Sequence, residues 1–226
     1  MNSAREKSEE YHWSDRSFDM KETERKRLEA LIGAERQWRE LGLNVGGIDE
    51  VGRGPLAGPV TVACVCLPDE PLIEYVNDSK KVTEKRRITA SEEIRRIAAS
   101  YKIVSVGPDI IDEINILNAT KKAMREAAVA VSPDVLLIDA VVLEGLPFDS
   151  VSIIKGDSKS YSIAAASILA KVHRDTYMLQ MDELYPQYGF ARNKGYGTAE
   201  HIEALRKHGP CPIHRKSFIK KILTEC

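Results

Sequence analysis

The chain has 226 residues, 43% hydrophobic and 30% charged, with a formal net charge of −1. This is the profile of an ordinary globular protein, one domain or one domain with an appendage, and large enough to bury a sizeable core. No apolar run approaches the ~20 residues of a membrane span, and Met1 to Asp19 is too polar for a signal peptide, so a cytoplasmic location is expected. Cys64, Cys66, Cys211 and Cys226 show neither a C-x-x-C pair nor histidines at zinc-binding spacing, which favours reduced structural thiols.

Residues 1–43 carry nine Lys/Arg and ten Asp/Glu. Leu28, Leu31, Ile32, Trp38 and Leu41 recur at helical spacing from Lys21 onward, which predicts a charged helical extension packing one apolar stripe onto the body, with Met1 to Ser17 disordered. A catalytic domain over 44–226 follows. Its first feature is the run Gly47-Ile48-Asp49-Glu50-Val51-Gly52-Arg53-Gly54-Pro55-Leu56-Ala57-Gly58-Pro59-Val60, in which two acids lead into a glycine-rich turn with one arginine. The apolar stretch Thr61 to Leu67 comes next, so the turn is expected to link two buried strands. Successive strand side chains alternate faces, and Asp49 and Glu50 are therefore expected to share a cation only if the strand ends or bulges there. The glycine spacing is one residue too long for a dinucleotide fingerprint, and no Gly-Lys-Ser/Thr follows to make a P-loop. A tight hairpin with two surface acids is the plainer alternative.

Further along, Asn77-Asp78-Ser79-Lys80-Lys81 is a polar loop and Thr83 is placed to cap a helix running to about Ser100. Lys102 to Val106 reads as a strand, Pro108 opens helical segments through Val131, and Val135 to Ile138 is a short buried strand that delivers Asp139. Val151 to Ile154 is another strand, ended by Lys155-Gly156-Asp157, and Ser160 starts a helix through about Leu184. Small residues from Ser162 to Ala170 predict close helix-to-sheet packing. His173, Arg174 and Asp175 read as a solvated helix turn in preference to a supporting place behind the site. Tyr188 to Thr198 reads as loop, and Ala199 to Leu223 as short basic helices. Strands alternating with helices imply a mixed α/β layer fold. Between Lys171 and Lys221, ten Lys/Arg stand against five acids, a surface that could face a polyanion or merely be solvated.

Asp49, Glu50, Asp139 and Asp157 are thus expected at one rim of a sheet. Carboxylates crowded together raise one another's pKa, and divalent cations relieve the conflict. Oxygen ligands without His or Cys favour Mg²⁺ or Mn²⁺, and two such ions suit phosphodiester hydrolysis.

These segments, in this order, resemble the bacterial ribonuclease HII (type 2 ribonuclease H) family. The resemblance covers about Val45 to Phe218 and rests on the glycine-rich run, Asp78-Ser79-Lys80, Leu137-Ile138-Asp139 and Ile154-Lys155-Gly156-Asp157. It also takes in Ser162 to Asp175 and Lys194-Gly195-Tyr196-Gly197-Thr198. It implies a ribonuclease H-like mixed sheet flanked by helices, with Asp49, Glu50, Asp139 and Asp157 as catalytic metal ligands. By the same resemblance Gly52, Arg53 and Gly54 contact the ribonucleotide's 2′-hydroxyl and phosphate mainly through backbone, Lys80 contacts phosphate, and Tyr196 packs on the ribose. The implied substrates are RNA–DNA hybrids and ribonucleotide-containing duplex DNA, cut to 3′-hydroxyl and 5′-phosphate ends by a monomer without a membrane partner. Ala140 and Asn193 depart from the family, which commonly has glycine and histidine there. Two rivals are a DNA endonuclease or strand-transferase with the same acids, and a non-catalytic hybrid-binding module.

Overall fold

The computed structural model describes residues 20–224; the disorder expected for Met1 to Ser17, and Cys226, lie outside them. Five strands form one sheet: β1 (Val45–Val51), β2 (Val60–Cys66), β3 (Ser100–Val106), β4 (Val135–Asp139) and β5 (Asp149–Ile153), in the order β3-β2-β1-β4-β5. β1, β2 and β3 pair antiparallel, whereas β1–β4 and β4–β5 pair parallel. The mixed α/β expectation holds.

β2 is buried along its whole length because both faces of the sheet are covered. Val60, Val62, Cys64 and Cys66 point into a core filled by Ala119, Ala123, Met124 and Ala127 of α4 (Pro108–Val131). Ala63 and Val65 point the other way, towards α3 (Glu84–Ile97) and α5 (Tyr161–Leu184). The small residues of α5 let it lie directly on β1: a Cβ built on Gly47 would fall 2.1 Å from the Ser162 carbonyl carbon. Only glycine fits there. α4 breaks its helical course at Asn115, whose φ is 66°. Thr83 does precede α3, yet its side chain makes no capping bond. Ser160 caps α5 by accepting from Ile163 N–H at 3.2 Å.

Ahead of the sheet, α1 (Glu22–Gly33) and α2 (Arg36–Arg39) form the helical extension. Leu28 and Leu31 are buried and Trp38 packs against Val45, but Leu41 is 74% exposed and does not belong to the stripe. The extension also does something that its apolar spacing did not indicate. Fully buried Glu35 accepts from Ser162 N–H at 2.7 Å and from the Ser162 hydroxyl at 2.9 Å. The Ser160 hydroxyl donates to the same carboxylate at 2.5 Å, and Arg39 pairs with it at 2.7 Å. A negative group thus sits on the N-terminus of α5, where unpaired amides and the helix dipole favour it.

Beyond α5, the stretch read as loop holds a short helix α6 (Phe190–Asn193), followed by α7 (Ala199–His208) and α8 (Lys216–Thr224). No described helix is long and apolar enough to cross a membrane.

Candidate active site

The register of the sheet explains why the acids meet. The parallel ladder between β1 and β4 runs from Val45↔Val135 to Ile48↔Ile138, so Asp49 and Asp139 are the next residues on two neighbouring strands. β5 stops beside them at Asp139↔Ile153, and a single 3-10 turn, Gly156–Ser158, then carries Asp157. The Gly156 N–H donates to Asp139 Oδ1 at 2.8 Å, tying the third acid to the turn that holds the fourth. β1 itself neither bulges nor ends at the acids. Its antiparallel register with β2 continues through Glu50↔Val62 and Val51↔Thr61, so the expected distortion is absent, yet Glu50 remains within electrostatic reach of Asp49 and Asp139 and stays part of the acid group. Glu50 lies on the alternate face, half-buried, with Arg53 Nη1 3.5 Å from its carboxylate.

Burial pushes the Asp49 carboxyl well above the usual range, and neighbouring Glu50 and Asp139 push it further. The Ser167 side chain opposes the shift, as does the Glu50 N–H that Asp49 accepts at 2.8 Å. Glu50 is raised by burial, with Arg53 opposing and Asp139 adding to it. Asp157 is raised by burial, then by Asp78 and Asp139, with Lys80 and Lys81 pulling the other way. Asp139 therefore acts on all three other acids, and Lys80 stands near enough to Asp157 to be felt. Among the described residues no three His, Cys, Asp or Glu side chains converge on a single point as a closed ligand set. Like charges keep carboxylates apart unless a cation draws them in. The donor set, all oxygen and partly buried, suits a hard divalent ion.

The polar loop is linked to this group through Ser79, whose hydroxyl lies 2.9 Å from that of Ser167 on α5. Lys80 is exposed at its tip. Gly52, Arg53 and Gly54 form the turn after β1, and a Cβ on Gly54 would lie 3.8 Å from the Tyr196 ring. Two motifs about 140 residues apart in sequence are thus neighbours in space. Tyr196 is 44% exposed, with its ring available to a ligand.

Arg174 and Arg215 build this junction: Arg215 was not singled out in the sequence, and Arg174 is fully buried, so the solvated helix turn preferred for it is wrong. Arg174 donates to the carbonyls of Pro59 at 2.9 Å, Ala57 at 3.1 Å and Lys194 at 2.9 Å. Arg215 donates to those of Gly58 at 2.9 Å, Arg53 at 2.8 Å and Gly52 at 2.5 Å. Gly52, at φ 89°, leaves room for this, since a Cβ there would fall 2.2 Å from Arg174 Nε. No carboxylate pairs with either guanidinium among the described residues. Burial, and then Arg174, bring the Arg215 pKa down to about 9, which leaves it charged at neutral pH. Two positive charges behind the turn make its outer surface attractive to phosphate. A sequence signal for Arg174 existed: Ala166, Ala170, Arg174 and Met178 recur every four residues on one buried helix face.

Residues 46–221 match the family model described as ribonuclease HII. The chain belongs to that family. Ribonuclease HII of Caldanaerobacter subterraneus subsp. tengcongensis is 55% identical over 205 residues, 89% of this chain and 85% of that protein. Among solved structures, the ribonuclease H2 of Pyrococcus horikoshii OT3 superposes with a TM-score of 0.66 at 26% identity, covering 81% of this chain and 98% of that one. A Bst-RNase HIII structure in complex with Mn²⁺ shares the fold, with a TM-score of 0.62 at 19% identity, over 80% of this chain and 65% of that one. As a ribonuclease HII family member the protein is an endoribonuclease of the ribonuclease H type.

Proposed function

We propose that this ribonuclease HII cuts the RNA strand of RNA–DNA hybrids and the phosphodiester 5′ of ribonucleotides embedded in duplex DNA, using Mg²⁺ or Mn²⁺ held by Asp49, Glu50, Asp139 and Asp157. Residues 44–226 form the catalytic unit, and it works as a cytoplasmic monomer, consistent with the free thiols of Cys64, Cys66 and Cys211. The observation that carries this reading is the placement of Asp49 and Asp139 side by side at the end of the β1–β4 ladder, with Gly54 and Tyr196 in contact reach of one another. Bound divalent ions supply charge neutralisation and an activated water. The chain's own groups do the rest. Lys80 and the arginine-backed turn hold phosphates, Tyr196 packs on the ribose, and the Gly52-Arg53-Gly54 backbone approaches the 2′-hydroxyl. Hydrolysis adds water across the P–O3′ bond and leaves a 3′-hydroxyl and a 5′-phosphate.

The test uses a DNA duplex with one ribonucleotide beside the same duplex in all-DNA form. In magnesium, cleavage of the first alone, 5′ of the ribonucleotide, is expected, and it should cease with chelator. Tyr196→Ala should cut it roughly ten- to hundred-fold more slowly, the cost of losing an aromatic contact of this kind. Cutting of the all-DNA duplex, or parental rates in Tyr196→Ala, would overturn the substrate reading or the tyrosine's role respectively.

A further inference from the structure

Two histidines outside the acid cluster are buried side by side, and their shortest hydrogen bonds select one arrangement of protons. His201 Nδ1 lies 2.8 Å from the Tyr196 carbonyl oxygen, which can only accept, so Nδ1 carries a proton. Neutral His201 therefore has a bare Nε2. That atom lies 3.0 Å from His214 Nε2, which must then be the donor. His214 is left with a bare Nδ1, and the Cys211 N–H donates to it at 2.9 Å. The Tyr196 carbonyl fixes this direction and the shorter contacts at Cys211 agree with it, since its Sγ, 3.1 Å away, can also donate to the bare nitrogen; the Cys211 carbonyl, which would need a proton on Nδ1, lies farther off at 3.3 Å. Tyr188 and Phe190 wall the pair with ring centroids 4.8 Å and 5.4 Å away, a setting that disfavours a charged imidazole.

We infer that His201 and His214 are positioning residues for Tyr196, a neutral imidazole relay that fixes where the tyrosine ring meets the sugar. The inference rests on the reading of Tyr196 as the ribose contact. Tyr196 projects from a backbone held at three points: its N–H donates to the Asn193 carbonyl at 2.9 Å, and its carbonyl accepts from Thr198 N–H at 2.8 Å and from His201. The flanking glycines, Gly195 and Gly197, add no side-chain anchor. His201 sits on α7, and His214 bridges to Ala57 behind the Gly52–Gly54 turn. The relay thereby adds to the direct link that the Leu56 N–H makes to the Gly195 carbonyl at 2.8 Å, and fixes Tyr196 against the turn with which it shares the ribonucleotide. A contact that discriminates by a single hydroxyl tolerates little misplacement, and an error of about 1 Å costs on the order of a hundred-fold.

The experiment has two arms. Nitrogen-15 spectra of histidine-labelled full-length protein near neutral pH should show His201 as the Nδ1–H tautomer and His214 as the Nε2–H tautomer; the same tautomer in both overturns the relay. In the second arm, His201→Ala should slow magnesium-dependent cleavage of the single-ribonucleotide duplex by roughly ten- to hundred-fold. In a Tyr196→Ala background the same change should cost less than about twofold, because the relay acts through the tyrosine. His201→Asn, which keeps a donor for the Tyr196 carbonyl, should restore part of the rate and serves where the alanine variant does not fold. Equal losses in both backgrounds, or no difference between Asn and Ala, would reduce His201 to a packing residue. If Tyr196→Ala alone cuts at the parental rate, the tyrosine's assignment fails instead, which is a distinguishable result.

Discussion

At the scale of single residues, Asp139 is the acid whose replacement is cleanest. Its Oδ1 accepts from Gly156 N–H, and asparagine would retain that acceptor while losing the charge that reaches the other three acids. Asp139→Asn is expected to stay folded and bind hybrid, with magnesium-dependent turnover reduced more than about a hundred-fold. Near-parental turnover by the purified variant would refute its role. The next residue, Ala140, has a φ of 50°, a left-handed conformation in which a Cβ is strained. Glycine, which has no Cβ, relieves the strain. Ala140→Gly should therefore raise stability by about 0.5–1 kcal/mol in urea unfolding, after allowance for glycine's larger entropy in the unfolded chain.

At the scale of elements, the extension is more than an apolar strip, because Glu35 secures the N-terminus of the helix that follows Asp157. Glu35→Ala leaves Arg39 half-paired and strips the Ser160–Ser162 turn of its acceptor. A loss of roughly 3 kcal/mol in unfolding free energy is expected, the usual cost of breaking a buried ion pair from one side. An unchanged urea midpoint would show the contact to be idle. Deleting residues 1–42 should lower stability in the same way while sparing the acids, as single-turnover cleavage by the folded remainder would reveal.

The central strands β1, β2 and β4 were legible as apolar runs of the right length, and the acids because Asp139 closes β4, Asp157 follows β5, and Asp49 and Glu50 interrupt the apolar residues of β1. Glu35, Arg215, His201 and His214 were not, and Arg174 showed only in the four-residue recurrence of its helix face. Each is a polar residue whose burial depends on tertiary packing, and Glu35, Arg174 and Arg215 have partners more than a hundred residues away. Arg174 is satisfied by carbonyls of residues 57, 59 and 194, which are common to every amino acid and leave no mark in composition. A charge on a helix reads as solvated until the chain that covers it is known.

At the scale of the whole molecule, acid should unfold the C-terminal region through its histidines. His214 is lowered to about 4 by burial and by His201, against ~6.5 when unfolded. The unfolded chain therefore takes up the proton first, so the stability contributed by neutral His214 is complete above about pH 6.5 and is lost as pH falls towards 4. Urea midpoints for parent and His214→Gln across that window should converge at the acid end. A constant gap would mean that the histidine does not titrate on unfolding.

The two buried arginines also impose an order of assembly. A chain leaving the ribosome completes its five strands once residue 153 has emerged, yet the turn at residues 52–54 has no clamp until Arg215, near the very end, arrives. The strands that carry Asp49, Glu50 and Asp139 are thus made well before the clamp on the turn proposed to meet the sugar. On the proposed reading of the site, a chain stopped short of Arg215 would hold the metal-binding acids beside an unclamped turn, and its cutting would lose preference for the ribonucleotide.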